Sequence, residues 1–432
     1  MELPQYSGDG TCIVASVNGR EVIVSRPYGG AYGHQALEIL TTLVCARKAD
    51  ADVFFIRPSR TANAALFDLE ADQVRILRPG LFQRLRLYCK FYMHQIKTKV
   101  VMSFRLWRMQ ARLGAAREIK FHTANKNFSK EVRAHLRGRL KGLNSHKDDP
   151  RKLAGRNTVY YKRLLLQEPI NTRFRSEVHQ ATKQEAESIG IYPNMKLVAI
   201  HARTSGFKAG IDLQDVGSTR DDSLRNTYIE SYFEAIDYLV GEGYTVVRIG
   251  DSSMKRIDRT GVIDLATSSH RTSALEVFVL LKSKFLLVGD SGPHLVSYLT
   301  NTPLLMVNAT DPLLVYPVRK TGMYLLQTVI DLDTGRSLGL SDLLTDDYYG
   351  SIRSSTRFGY RPNTSDEIVM AVKEMVQHLQ SPAPETLSQT LYRQAVLNAS
   401  ETIKDKFARK WTVDRGVLGD GRPVRFYADR WF

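Results

Sequence analysis

The sequence predicts an α/β protein built on parallel sheets. Two observations predict it. Short apolar runs alternate with segments of helical period, and the runs end on clusters of polar and turn-forming residues. Alternating strands and helices favour parallel pairing, because a crossover helix returns the chain to the same end of a sheet.

The elements follow in order. Glu21 to Ser25 (EVIVS) reads as a strand, the glycine loop RPYGGAYG occupies 26–33, and His34 to Ala46 has helical spacing. Val53 to Arg57 and Val74 to Leu77 read as further strands. From 196 the pattern returns: LVAI (197–200) is a strand, and Asn226 to Glu242 is a helix with Ile229, Tyr232, Phe233, Ile236, Leu239 and Val240 on one face. YTVVRIG (244–250), KFLLVG (284–289) and PLLMVN (303–308) are strands, with a helix around Ser273 to Ser283. Asn363 begins a capping-box pattern, NTSDEI, before a helix over 366–379, and SPAP leads into a helical tail. The expected division is 1–185, 186–380 and a tail over 381–432.

Between 81 and 150 the chain carries 17 Lys+Arg and four acids, +13 of a whole-chain net charge of +16. That balance favours an anionic partner. Leu81, Leu85, Tyr88, Tyr92, Ile96, Val100, Phe104 and Trp107 step by three or four among Arg84, Lys90, Lys97, Arg105 and Arg108. The stripe either packs on a sheet or lies on an anionic membrane surface. Aromatics interleaved with basics leave nucleic acid open as a less favoured partner. Cys12, Cys45 and Cys89 are too scattered for a disulfide framework or a zinc site. The start lacks a leader pattern and no stretch is long and apolar enough to span a membrane, so a cytoplasmic location is expected.

The strand ends carry the chemistry. After LVAI come His201 and Arg203. Arg248 and Asp251 close YTVVRIGD and can equally pair with each other. Asp290, Ser291, Gly292, Pro293 and His294 follow KFLLVG, and Asn308, Thr310 and Asp311 follow PLLMV. Ligands of open α/β sheets bind beyond the carboxyl ends of strands. A helix N-terminus after Gly292, with Asp290 or Ser291 as its cap, suits a phosphate, and Arg203 offers a bidentate fork. Gly30, Gly33 and His34 repeat a glycine turn on the other predicted sheet, without the spacing of a dinucleotide fingerprint or a P-loop. Asp pairs at 148–149, 221–222 and 346–347 read as solvated turns, and no metal site is expected.

Two α/β halves, each with a glycine turn, describe the GT-B architecture of two Rossmann-like domains facing across a cleft. YGHQALE (32–38), VAIHARTSGFK (198–208), the pattern from Arg225 to Glu230, YLVGEGYTVVRIGD (238–251), the DSGP turn and NTSDEIVMAVKEM resemble an uncharacterised family of bacterial glycosyltransferases over roughly residues 20–380. The His-Ala-Arg triplet is similar to the His-x-Arg motif of GT-B fucosyltransferases, and DSGPH to the donor turn of heptosyltransferases. The resemblance implies a metal-independent enzyme without a cofactor. It would move a sugar from a nucleotide-sugar donor to a glycan or lipid-linked acceptor in surface polysaccharide or glycoconjugate synthesis. The donor would be held by His201, Arg203, Arg248, Asp251, Asp290, Ser291, Gly292 and His294. Gly30, Gly33 and His34 would face the acceptor. Arg203 would be the catalytic cation, with Glu38 as the candidate base. A polysaccharide pyruvyltransferase and a non-catalytic basic membrane- or nucleic-acid-binding protein are the rival readings, and the basic 79–157 insertion has no counterpart in the resemblance.

Overall fold

The computed structural model describes residues 11–59, 61–113, 169–204, 222–313, 317, 319–351, 357–403 and 420–432. Asp148, Asp149, Asp221 and most of the basic block therefore lie outside the described residues. The chain divides into two compact units. One comprises Met1–Tyr28, Thr42–Arg60 and Gln73–Asn157. The other comprises Gly29–Thr41, Thr61–Asp72 and Thr158–Phe432. This division differs from the expected boundary at 185. The glycine loop, the first turns of the helix that follows it and the 381–432 tail all belong to the second unit.

The first unit opens with a hairpin, β1 (Thr11–Val17) and β2 (Arg20–Arg26), paired antiparallel. Asn18 and Gly19 turn it, both at positive φ (50° and 79°), as a two-residue primed turn requires. The Asn-Gly pair marks this hairpin in the sequence, and the reading above passes over it. Helix α1 (Tyr32–Lys48) follows, then β3 (Asp52–Phe55), which runs parallel to β2. The sheet order is β1-β2-β3, so among the described residues this unit has a small mixed sheet and not a doubly wound one. Buried Asp52 is tied to Arg75 and lies 3.6 Å from Nε of Arg20. After the short strand β4 (Leu69–Ala71), which belongs to the second unit, comes the long helix α2 (Leu81–Leu113). Leu87 and Phe91, each 1% exposed, join Ile13, Ala15, Val22, Val24, Phe54 and Ile56 in one core. Of the apolar stripe, Tyr88 is half-buried against this core, whereas Leu81, Leu85, Tyr92 and Ile96 are exposed. The side chains of Val100, Phe104, Arg105, Trp107 and Arg108 lie outside the described residues.

In the second unit β5 (Thr172–Phe174) pairs with β4, and helix α3 (Ser176–Ser188) leads to β6 (Lys196–His201). Helix α4 (Phe233–Gly241) is shorter than expected, because Asp222–Arg225 and Ile229–Tyr232 form separate 3-10 turns. Next come β7 (Tyr244–Arg248), β8 (Val262–Asp264), α5 (Ser273–Lys282), β9 (Ser283–Val288), α6 (Pro293–Thr300), β10 (Leu304–Ala309) and β11 (Gly322–Leu326). A small antiparallel pair, β12 (Thr328–Asp331) with β13 (Phe358–Arg361), precedes α7 (Ser365–Gln380) and α8 (Leu387–Thr402). Strand β14 (Arg422–Pro423) and helix α9 (Arg425–Ala428) complete the unit. The capping box of α7 centres on Thr364 with Glu367, one residue later than expected. Asn363 is instead committed to β10. Its side chain accepts from the Asn308 N–H at 2.6 Å, and the Asn308 side chain accepts from the Asn363 N–H at 2.6 Å.

The main sheet has seven parallel strands in the order β14-β11-β10-β9-β6-β7-β8. β9 and β10 are buried almost throughout, which is why they read as unbroken apolar runs. From β6 the chain winds outward through β7 to β8, then returns to β9 on the other side of β6 and winds the opposite way. The strand order thus reverses between β6 and β9. That is the topological switch point where an open α/β sheet leaves a crevice beyond its carboxyl ends.

Candidate functional site

The residues singled out after β6 and β9 flank this switch. His201 closes β6, pairs in register with Val288 of β9, and is buried. Its Nδ1 shares a hydrogen bond of 3.1 Å with Oγ of Ser291, itself 2% exposed. Burial lowers the His201 pKa to about 4. The Arg248 and Arg203 charges act in the same direction and Asp251 opposes them. The imidazole is neutral at pH 7.

The sign of the resulting pH dependence is fixed. Below the ordinary histidine value of about 6.5 the unfolded chain takes up a proton that the native state refuses. Stability should fall by about 3 kcal/mol as pH drops from 6.5 toward 4. Denaturant titrations of wild type and His201→Gln across that window check it. The variant should lose this part of the acid sensitivity, and identical slopes would mean that the histidine protonates freely in the fold.

Asp290 and Ser291 do not cap α6, contrary to expectation. Gly292 holds the cap position with no side-chain hydrogen bond, and Pro293 follows in the first turn. Ser291 is turned to His201. Asp290 accepts from Thr310 at 3.0 Å and lies 3.4 Å from Nε of Arg225, which also donates to the Asp290 carbonyl at 2.8 Å. The start of α6 is therefore left without a side-chain cap; Pro293 has no N–H, those of His294 and Leu295 donate to the Ser291 and Gly292 carbonyls, and the partial positive charge of the helix end is what suits an anion. His294 Nδ1 donates to the Ser291 carbonyl at 2.6 Å, and its ring meets Tyr298 edge-on.

Arg203, half-buried just beyond β6, donates from Nη1 to Oδ1 of Asn226 at 2.6 Å. Burial and the Arg225 charge lower its pKa to about 10, with Asp290 opposing. It remains a cation at neutral pH. The Arg203 carbonyl accepts from Thr227 N–H at 2.9 Å, which holds the 225–227 segment against the end of β6. Arg225 and Asn226 stand beside Arg203 and Asp290 in this site, and residue-level reading did not single them out. They follow no strand, and Arg225 entered only as the start of a matched pattern.

Other expected residues have different partners. Arg248, 1% exposed, donates to the Lys255 carbonyl at 2.6 Å and pairs with Asp264 at 3.2 Å, so it is an internal brace and not a partner of Asp251. Asp251 folds back on its own turn and accepts from the N–H and hydroxyl of Ser253. Asp311 accepts from Leu313 N–H and the Tyr349 hydroxyl. Asp347 pairs with Arg357 at 3.1 Å.

The glycine loop corrects a larger expectation. Gly33 is buried, and a Cβ there would stand 2.5 Å from the Gly292 carbonyl oxygen and 2.9 Å from its Cα. The first turn of α1 thus packs backbone to backbone on the turn that starts α6. Gln35 secures it by donating to the Asn63 carbonyl at 2.8 Å and accepting from its N–H at 3.1 Å, and the Asn63 side chain donates to the Ser273 carbonyl at 3.1 Å. Gly33 is spent on packing, while Gly30 and His34 are exposed. Beside them, half-buried Tyr32 and buried Glu276 both have raised pKa values, through desolvation first, and Arg271 holds Glu276 at 2.9 Å. Glu38 is buried five residues beyond Gly33, a rise of about 7–8 Å along α1. Among the described residues no three His, Cys, Asp or Glu side chains group as metal ligands.

No protein-family model matches the chain, and no curated protein matches it. Solved structures that are similar are glycosyltransferases. A glycosyl transferase family 9 protein from Veillonella parvula is 12% identical, covers 85% of this chain and 100% of its own, and gives a TM-score of 0.42. The ADP-heptose LPS heptosyltransferase II of E. coli is 12% identical over 83% of this chain and 99% of its own, with a TM-score of 0.42. NodZ, an alpha-1,6-fucosyltransferase soaked with GDP-fucose, is 12% identical over 66% of this chain and 93% of its own, with a TM-score of 0.30. At these scores the likeness is a distant one of α/β architecture, and the functional reading rests on the site.

Proposed function

We propose that the β6–β9 switch point binds the diphosphate of a nucleotide sugar, and that the protein is a glycosyltransferase of the GT-B type. The observation that carries this reading is the meeting of two arginines with a helix start at the switch point. Arg203 is set by Asn226, and Arg225 is fixed to Asp290. Gly292, the cap position of α6 with no side-chain hydrogen bond, follows directly after Ser291. Fork-shaped cationic donors and the positive end of a helix dipole both favour phosphate oxygens, and this site presents the two together.

In the transfer, an acceptor hydroxyl oxygen forms a bond to the anomeric carbon while the bond from that carbon to the diphosphate breaks. The leaving diphosphate keeps the electron pair. Arg203, Arg225 and the α6 terminus meet the charge that develops there. The neutral His201 holds Ser291 in place without adding charge. Glu38, the nearest buried carboxylate along α1 from Gly33, is the candidate to take the hydroxyl proton. The acceptor is a glycan or a lipid-linked glycan.

A thermal-shift panel of GDP-, UDP-, ADP- and CMP-sugars tests the reading. One nucleotide class should raise the melting temperature, its free nucleoside should raise it far less, and Ser291→Ala with His294→Ala should remove most of the difference. Stabilisation by phosphoenolpyruvate alone would reassign the site to pyruvyl transfer.

A further inference from the structure

We propose that the outward face of α2 docks on an anionic lipid surface. Helix α2 has eight Lys+Arg and no acidic residue in its 33 positions. At roughly 100° per residue its side chains sort into three sectors. Leu87 and Phe91 point into the core formed with β1 and β2. On a second sector Leu81, Phe82, Leu85, Tyr92, Met93 and Ile96 are all exposed, Phe82 to 86% and Met93 to 64%. Arg86, Lys90 and Lys97 occupy the third, next to Phe82 and Met93 around the helix. Packing against the unit's own core is thus done by the first sector together with half-buried Tyr88 at its edge.

A contiguous exposed apolar strip marks an interaction surface. The neighbouring charges identify the partner. A second copy of the chain would bring one basic strip against another. A nucleic acid would call for stacking platforms, whereas this strip is mainly aliphatic. Acyl chains beneath anionic headgroups match both sectors at once. A small cleft beside the basic sector is lined by Ser16, Asn18, Gln83, Arg86 and Lys90, donors suited to a headgroup phosphate. The attachment is superficial, since among the described residues no helix is long and apolar enough to cross a membrane.

Sedimentation of the full chain with vesicles of phosphatidylcholine alone, or with phosphatidylglycerol added, tests this. Binding should require phosphatidylglycerol and weaken about tenfold or more in high salt. Phe82→Glu with Met93→Glu should lower partitioning about 100-fold, and Arg86→Glu with Lys90→Glu at least about tenfold. These side chains lie outside the core, so melting temperatures should hold. Cys89, exposed on the apolar strip, provides a second readout: an environment-sensitive fluorophore on it should shift to the blue on anionic vesicles only. No binding, or equal binding to both vesicle types, would overturn the proposal. So would a dimer, or an oligonucleotide complex, that the apolar substitutions abolish in the absence of vesicle binding.

Discussion

Arg203→Ala is expected to lower sugar transfer about 10²–10³-fold, the scale for losing one preorganised donor at a developing charge. The melting temperature should move little, because the guanidinium is half-buried and Asn226, to which it donates, lies between two short 3-10 turns and not in the core. Arg203→Lys should recover only part of the rate. An ammonium supplies a point charge where the geometry offers a fork. Steady-state kinetics beside a melting curve decide the matter. Near-normal turnover with a lowered melting temperature would make Arg203 a brace for the 225–227 segment.

Arg248→Met should behave in the opposite way, although the two arginines stand near the ends of neighbouring strands. Removing the guanidinium leaves the Asp264 carboxylate in a buried site with only Ile257 N–H and the Thr267 hydroxyl as donors. Breaking a buried pair on one side costs about 3–5 kcal/mol. Urea denaturation should show a loss of that size, and Asp264→Asn added to Arg248→Met should restore part of it. Loss of nucleotide binding with stability intact would return Arg248 to the ligand.

This contrast shows where the sequence was legible. The strands at 197–200, 244–250, 284–289 and 303–308 were read correctly, because strands covered on both faces are apolar along their whole length. The residues at their ends were found by the same logic. Their partners were not, because Asp264 lies 16 positions from Arg248 and Asn226 lies 23 from Arg203. A strand-end arginine looks the same in sequence whether it faces a ligand or a carboxylate of the next strand. The glycine loop was misplaced for a related reason. Gly33 signals close approach of backbone, but nothing near it names Gly292 as what approaches. In α2 the periodicity was real, but it left open whether the stripe faces in or out. The long stripe from Leu81 onward outnumbers Leu87 and Phe91, yet those two fit beneath the hairpin.

The pairing of β14 with β11 has a consequence for synthesis. Met323 and Tyr324 find their outer neighbours in Arg422 and Pro423, about a hundred residues later. While the chain emerges from the ribosome, β11 (GMYLL) can pair with β10 but must wait with its other edge open. An apolar strand with an unpaired edge is a template for other chains. Elongation at about 5–20 residues per second makes the interval several seconds long. A nascent chain stalled before Arg422 would hold a nearly finished sheet with an adhesive border. Yield of soluble protein should therefore depend on chaperone supply during translation more than on the stability of the finished fold.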